Sequence, residues 1–214
     1  MTTRTHRLLA GLIALALGLS PLRARGATGE PREHDGLFIR ASAGIGAARG
    51  KLEANGGDAE LHDAGLDVNL AFGAIVLPNL AVHATLWGWG LNDPGVEVKS
   101  SIGNAALASK GVFEMTAFGV GATYYLMPIN AYVSASLGSG AFSGTDQLDG
   151  TSNRGFAYDI TAGKEWWAND EWGVGAAGSY SYCSATDKDL GPAAAPDGKW
   201  TGTSWALRFT ATFN

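Results

Sequence analysis

The chain has 214 residues, 31 of them glycine, with 16% charged residues and a formal net charge of −5. Soluble domains carry about 7% glycine and about 25% charge, so this is a glycine-rich, charge-poor chain. The acidic balance argues against nucleic acid as a partner, since phosphate backbones demand cations, and the one cysteine, Cys183, excludes a disulfide within the chain.

At the N-terminus Arg4 and Arg7 precede an uncharged apolar run from Leu8 to Leu19, followed by Pro21 and the small stretch Ala24-Arg25-Gly26-Ala27. Basic, apolar and small segments in that order predict a cleavable signal peptide over 1–26. The apolar run is too short for the roughly 20 residues a membrane helix needs. Cleavage near Gly26 removes four arginines and no acid, moving the formal charge from −5 to −9.

Beyond residue 35 the dominant signal is alternation with period two, which reads as strands. In the first strand Leu37, Ile39, Ala41, Ala43, Ile45 and Ala47 oppose Arg40, Ser42, Gly44 and Gly46. The second sets Leu66, Val68, Leu70, Phe72, Ala74 and Val76 against Gly65, Asp67, Asn69, Ala71 and Gly73, and the third sets Leu80, Val82, Ala84 and Leu86 against Ala81, His83, Thr85 and Trp87. Phe118 to Leu126, Val133 to Leu137, Phe156 to Ala162, Trp172 to Tyr182 and Trp205 to Phe213 repeat the pattern, one face bulky and the other Gly, Ser, Thr, Ala or charged. A soluble β-barrel or sandwich would need its bulky face inside, and the small face could not fill such a core. The pattern predicts an all-β fold, an eight-stranded antiparallel up-and-down transmembrane β-barrel with its apolar face outward.

The connections alternate in length. Short ones are predicted at 77–79, 127–130 and 168–171, and long loops at 49–64, 92–112, 143–153 and 183–200. Short periplasmic turns and long external loops are usual for bacterial barrels, which places both mature termini, including a short segment 27–35, in the periplasm and the barrel domain at 36–214. Aromatic residues gather near both sets of connections as two expected interface girdles. Tyr124, Tyr125, Tyr132, Trp166, Trp167, Trp172 and Phe213 lie by the short turns; Trp87, Trp89, Phe113, Phe142, Phe156, Tyr158, Tyr180, Tyr182, Trp200 and Trp205 lie by the long loops.

This pattern, the Trp166-Trp167 to Trp172 turn and the final strand from Trp205 to Phe213-Asn214 resemble the small eight-stranded outer-membrane proteins of Gram-negative bacteria: the OmpA membrane domain, OmpX, the OmpW group and opacity-type adhesins. The resemblance covers about 36–214. It implies residence in the outer membrane among its lipids, and a terminal aromatic, Phe213, read by the barrel-assembly machinery, with the departure that Asn214 follows it.

Charges facing a narrow interior are costly unless paired. Arg40, Asp159, Glu165 and Arg208 are therefore read as a lumenal salt-bridge network in which the two arginines meet the two acids, the alternative being the lining of a wet polar conduit, with Asp67 nearer the outer mouth. Trp87 and Trp89 are read either as girdle residues with a local bulge at Gly88 or as an aromatic vestibule for an apolar ligand. His34, His62 and His83 have no serine at the spacing nucleophilic catalysis needs, so no catalytic residue is expected. The cluster Asp58, Glu60, His62, Asp63 reads as solvated charge, and neither metal nor cofactor is expected. The expected function is that of an integral barrel of structural or surface-interaction type with a side-chain-filled lumen and no identified external partner. An OmpW-like narrow channel for small apolar molecules, or a lipid-modifying enzyme, are the alternatives.

Overall fold

Eight long strands closing on themselves account for most of the chain in a computed structural model, which describes residues 34–54, 57–100, 103–187 and 198–213. The predicted signal peptide, most of the segment 27–35, residues 188–197 and Asn214 lie outside the described residues. The strands are β1 (Leu37–Ala54), β2 (Gly57–Leu77), β3 (Leu80–Asn92), β4 (Gly95–Ser100), β5 (Gly103–Ala108), β6 (Val112–Leu126), β7 (Ala131–Gly144), β8 (Gly150–Thr151), β9 (Gly155–Trp167), β10 (Trp172–Thr186) and β11 (Lys199–Phe213). The hydrogen-bonded order β1-β11-β10-β9-β7-β6-β3-β2 returns to β1 through a β1–β2 ladder, so eight antiparallel staves form a barrel without an edge. Closure leaves no wall N–H or C=O to face a medium that cannot hydrogen-bond.

The two faces of the wall have opposite chemistry. Ile45 and Leu207 are each 75% exposed, while Arg208, the next residue on β11, is 2% exposed. Leu66, Phe72, Val82, Leu86, Val120, Leu137, Ile160 and Phe209 extend the outward apolar belt around the barrel. A contiguous apolar surface of that extent is stable only against hydrocarbon. The fold is thus a transmembrane barrel, apolar outside and polar within.

The short turns, which define one end of the barrel, use residues that tolerate the left-handed backbone region. Asn79 and Asn130 adopt φ of 63° and 51°, and their carbonyls accept from Tyr125 N and Glu165 N, both at 2.9 Å. In the third turn Asn169 Oδ1 accepts from the backbone of Glu171 and Trp172 at 2.9 and 2.8 Å.

The opposite, hairpin end departs from expectation. Residues 49–64, predicted as a loop, continue β1 and β2 as a ladder out to Ala54↔Gly57. Outward charges pair across it, Arg49 with Glu60 at 2.8 Å and Lys51 with Asp58 at 3.1 Å. The carboxylates of Glu53 and Asp58 hold the Lys51 ammonium above its ordinary pKa. Within 92–112, β4 pairs with β2 and β5 with β4, extending the wall sideways. Residues 143–153 contain a 3-10 turn at Asp146–Leu148 and the short β8, and in 183–200 the strands continue to Thr186 and resume at Lys199. The pairing of β3 is continuous through Gly88, so no bulge lies there; the register shift in that ladder falls between Ile75 and Leu77.

Candidate functional site: the lumen

Among the described residues the inward-facing side chains fall into three layers. The middle layer is ionic. Arg208 on β11 donates through Nε to Asp67 Oδ1 at 2.5 Å, and through Nη1 and Nη2 to Asp159 Oδ1 and Oδ2 at 3.0 and 2.7 Å. A planar guanidinium suits this fork geometry, which a lysine could not reproduce. The carboxylates are further satisfied: Ser204 Oγ donates to Asp67 at 3.1 Å, while Thr161 Oγ1 and Asn69 Nδ2 donate to Asp159 at 3.0 and 3.3 Å. All of these side chains are buried. Asp67 is therefore a direct partner of Arg208.

Toward the turn end the expected arginine–acid pairing breaks down. Arg40 reaches no carboxylate among the described residues; its Nη2 donates to Thr123 Oγ1 at 2.7 Å and Ser134 Oγ at 3.0 Å, and its guanidinium lies 4.4 Å from the centre of the Tyr132 ring. Glu165 instead accepts from Thr212 Oγ1 at 2.6 Å, from Thr210 Oγ1 at 3.4 Å and from Tyr125 Oη at 3.3 Å. The reason lies in β10, the stave between β9 and β11. Gly173 and Gly175 carry no side chain where Glu165 lies down along the wall: a Cβ on Gly175 would sit 2.8 Å from Glu165 Cγ. The glutamate reaches its hydroxyl donors across those glycines rather than crossing the lumen. Below it, His34 stacks on Tyr125 at 3.6 Å and bonds to Asn130 Oδ1 at 2.8 Å, closing this end.

The hairpin-end layer is apolar. Trp87, Trp89, Leu91, Phe113, Met115, Phe142 and Trp200 are all buried, with Leu52 and Leu61 from the extended β1–β2 hairpin packed on them. Phe113 and Phe142 stack with planes 7° apart, and Trp200 sits 5.2 Å from Phe113. Gly50 and Gly202, paired across β1 and β11, seat these rings; a Cβ at either would clash with the Phe113 or the Phe142 ring. Trp200 Nε1 donates to Asp187 Oδ1 at 2.9 Å, whereas the indole N–H groups of Trp87 and Trp89 have no partner among the described residues.

Trp87 and Trp89 do face inward, but as part of a packed cap. Of the residues expected in the interface girdles, Phe113, Phe142, Trp200, Tyr125 and Tyr132 face inward. Alternation was the available signal, for Phe113 shares parity with Met115 and Thr123, Phe142 with Ser136, and Trp200 with Arg208. The outward girdle at the hairpin end consists of Phe156, Tyr158, Tyr180, Tyr182 and Trp205, in ring contact at 4.5 to 6.1 Å. At the turn end Phe213 packs edge-on against Trp172 at 5.4 Å. His83 bonds to Thr123 Oγ1 at 3.1 Å inside the lumen, and His62 is exposed on β2.

No family model matches the sequence, and no curated protein matches it. Among solved structures the chain is similar to Neisserial surface protein A, at 16% identity and TM-score 0.46, covering 86% of this chain and 98% of that one. It is also similar to the outer membrane protein OprG from Pseudomonas aeruginosa, at 14% identity and TM-score 0.48 over 86% of this chain and all of that one. A third is AlkL in lipid bilayers, at 13% identity and TM-score 0.47 over 92% of this chain and 97% of that one.

Proposed function

We propose that the protein is an integral barrel of the bacterial outer membrane whose role is structural or surface-interactive rather than catalytic or conductive. The observation that carries this reading is the Arg208 clamp with Asp67 and Asp159, a buried and fully bonded ion cluster across the middle of the lumen. The aromatic cap above it and the Glu165 and His34 layer below it support the same conclusion. Eight staves leave an interior that side chains just fill. The hairpin end, with β4, β5 and the paired charges of β1 and β2, faces the cell exterior, and both mature termini are periplasmic. Phe213, on the outward face of the last strand, is the residue presented to the assembly machinery.

The decisive experiment is refolding of the mature chain into planar bilayers. The filled lumen is expected to give no conductance steps, while the folded barrel migrates faster unboiled than boiled on gels. Regular single-channel steps from the wild-type protein would reject the plug, and recovery of the chain as a soluble periplasmic protein would reject the membrane placement.

A further inference from the structure

Among the described residues Arg208, Arg49 and Lys51 each form ion pairs. Two cations instead lie on outward-facing aromatic rings, at opposite ends of the same stave. Arg154, just before β9, places its guanidinium carbon 4.9 Å from the centre of the Phe118 ring, and Lys164, near the end of β9, places its ammonium 5.7 Å from the Trp166 ring. Arg154 is exposed and forms no ion pair with any described residue.

The side chains between them on the outward face are Phe156, Tyr158, Ile160 and Ala162. Ten residues at about 3.4 Å each, tilted about 40°, rise roughly 26 Å, which matches the apolar band of about 25 Å typical of such barrels. The two cations therefore sit at the two levels where hydrocarbon gives way to headgroups. Around Arg154 the outward face of the wall brings a hydroxyl and aromatic rings together. Ser139 on β7 pairs with Phe118 on one side and Phe156 on the other, so a hydroxyl-bearing residue lies between two exposed rings, 52% and 55% accessible. Arg154 reaches across that row to the further ring.

We infer that Arg154, with Phe118, Ser139 and Phe156, forms a binding site for the phosphate of a phosphorylated glycolipid in the leaflet at the hairpin end, the acyl chains lying on the belt below. The inference rests on the membrane placement proposed above. It commits to a lipid phosphate and not a free anion, because the guanidinium lies over a ring of the hydrocarbon-facing belt rather than in an aqueous loop.

The test is retention of hexa-acylated lipid A by the folded protein in detergent micelles, read by native mass spectrometry, with the diphosphorylated lipid and its dephosphorylated form as probes. Arg154→Gln is expected to retain the diphosphorylated lipid about tenfold less than wild type, the worth of one charged hydrogen bond. Arg154→Lys should keep part of the retention, as a point charge without the fork. Lys164→Gln should not change it, and the dephosphorylated lipid should bind wild type and Arg154→Gln alike. Equal retention by wild type and Arg154→Gln overturns the site, as does full competition by inorganic phosphate, which would mark a free-anion site instead. Unboiled gel migration, run on each sample, separates the two levels of failure. A chain that does not fold in micelles overturns the membrane placement and the site with it, whereas a folded barrel whose lipid retention ignores Arg154 overturns the site alone.

Discussion

Two layers of one lumen are held by opposite means. At the centre, Arg208, Asp67 and Asp159 interlock through charge-assisted hydrogen bonds, and each polar atom depends on another across the barrel. At the hairpin end, Phe113, Phe142, Trp89 and Trp200 fill space by shape against Gly50 and Gly202, and the indole N–H groups of Trp87 and Trp89 find no partner among the described residues. The ionic layer tolerates no missing partner, because the remaining charge would be buried alone. The aromatic layer tolerates polar losses and resists changes of volume. The difference implies that removing charge should damage the centre, and adding volume should damage the cap.

The largest expected effect is at Arg208. Arg208→Ala leaves two buried carboxylates facing each other and should lower stability by about 3–5 kcal/mol, the range for breaking one side of a buried pair. The urea midpoint of the refolded barrel in lipid measures this. Adding Asp67→Asn and Asp159→Asn to the same chain should recover most of the loss, since no uncompensated charge then remains. An unchanged midpoint for Arg208→Ala would mean that water already solvates the centre. Arg40 sharpens the contrast. Its partners Thr123 and Ser134 are neutral and bonded to each other at 2.9 Å, so Arg40→Met strands no charge. Its cost should be about 1–3 kcal/mol, smaller than that of Arg208→Ala in the same assay.

In the cap, Gly202→Ala drives a methyl group into the Phe142 ring and should cost about 1–3 kcal/mol through overpacking. Phe142→Leu in the Gly202→Ala background should restore part of that stability by vacating the collision. Additive losses in the double variant would mean that the ring and the glycine do not share one space.

How much of this was legible from sequence follows from the range of the forces involved. The direction of each side chain depends only on parity along its own strand, so the inward placement of Arg40, Asp159, Glu165, Arg208, Trp87 and Trp89 could be read locally. Partner choice depends on which staves face one another across the lumen and on what lies between them. Glu165 bonds Thr212 because Gly173 and Gly175 leave β10 bare, a relation among three strands that no single segment displays. The hairpin end differs from its sequence pattern for another reason. Gly, Asp and Lys between 49 and 64 resemble loop composition, yet Leu52, Ala59 and Leu61 point inward while Arg49, Lys51, Asp58 and Glu60 pair outside, the same alternation continued in solvent. Phe113, Phe142 and Trp200 lie close to loops, as girdle residues do, but their parity along the strand sets them inside.

The smallest expected effect compares two tryptophans of the cap. Trp200 Nε1 donates to Asp187, so Trp200→Phe removes a donor from a buried carboxylate and should cost about 1–3 kcal/mol. The Trp87 indole nitrogen is buried with no hydrogen-bond partner among the described residues, and a buried donor left in that state carries a penalty of about 1–3 kcal/mol. Trp87→Phe removes that donor while giving up part of a ring, two terms of opposite sign, and its net effect should stay within about 1 kcal/mol of wild type. The two variants lose the same atoms from the same layer, so volume loss is common to both and the difference between their urea midpoints isolates the hydrogen bond. A loss at Trp87 equal to that at Trp200 would mean that the Trp87 N–H is satisfied in the folded barrel, and that the cap depends on polar partners as the ionic centre does.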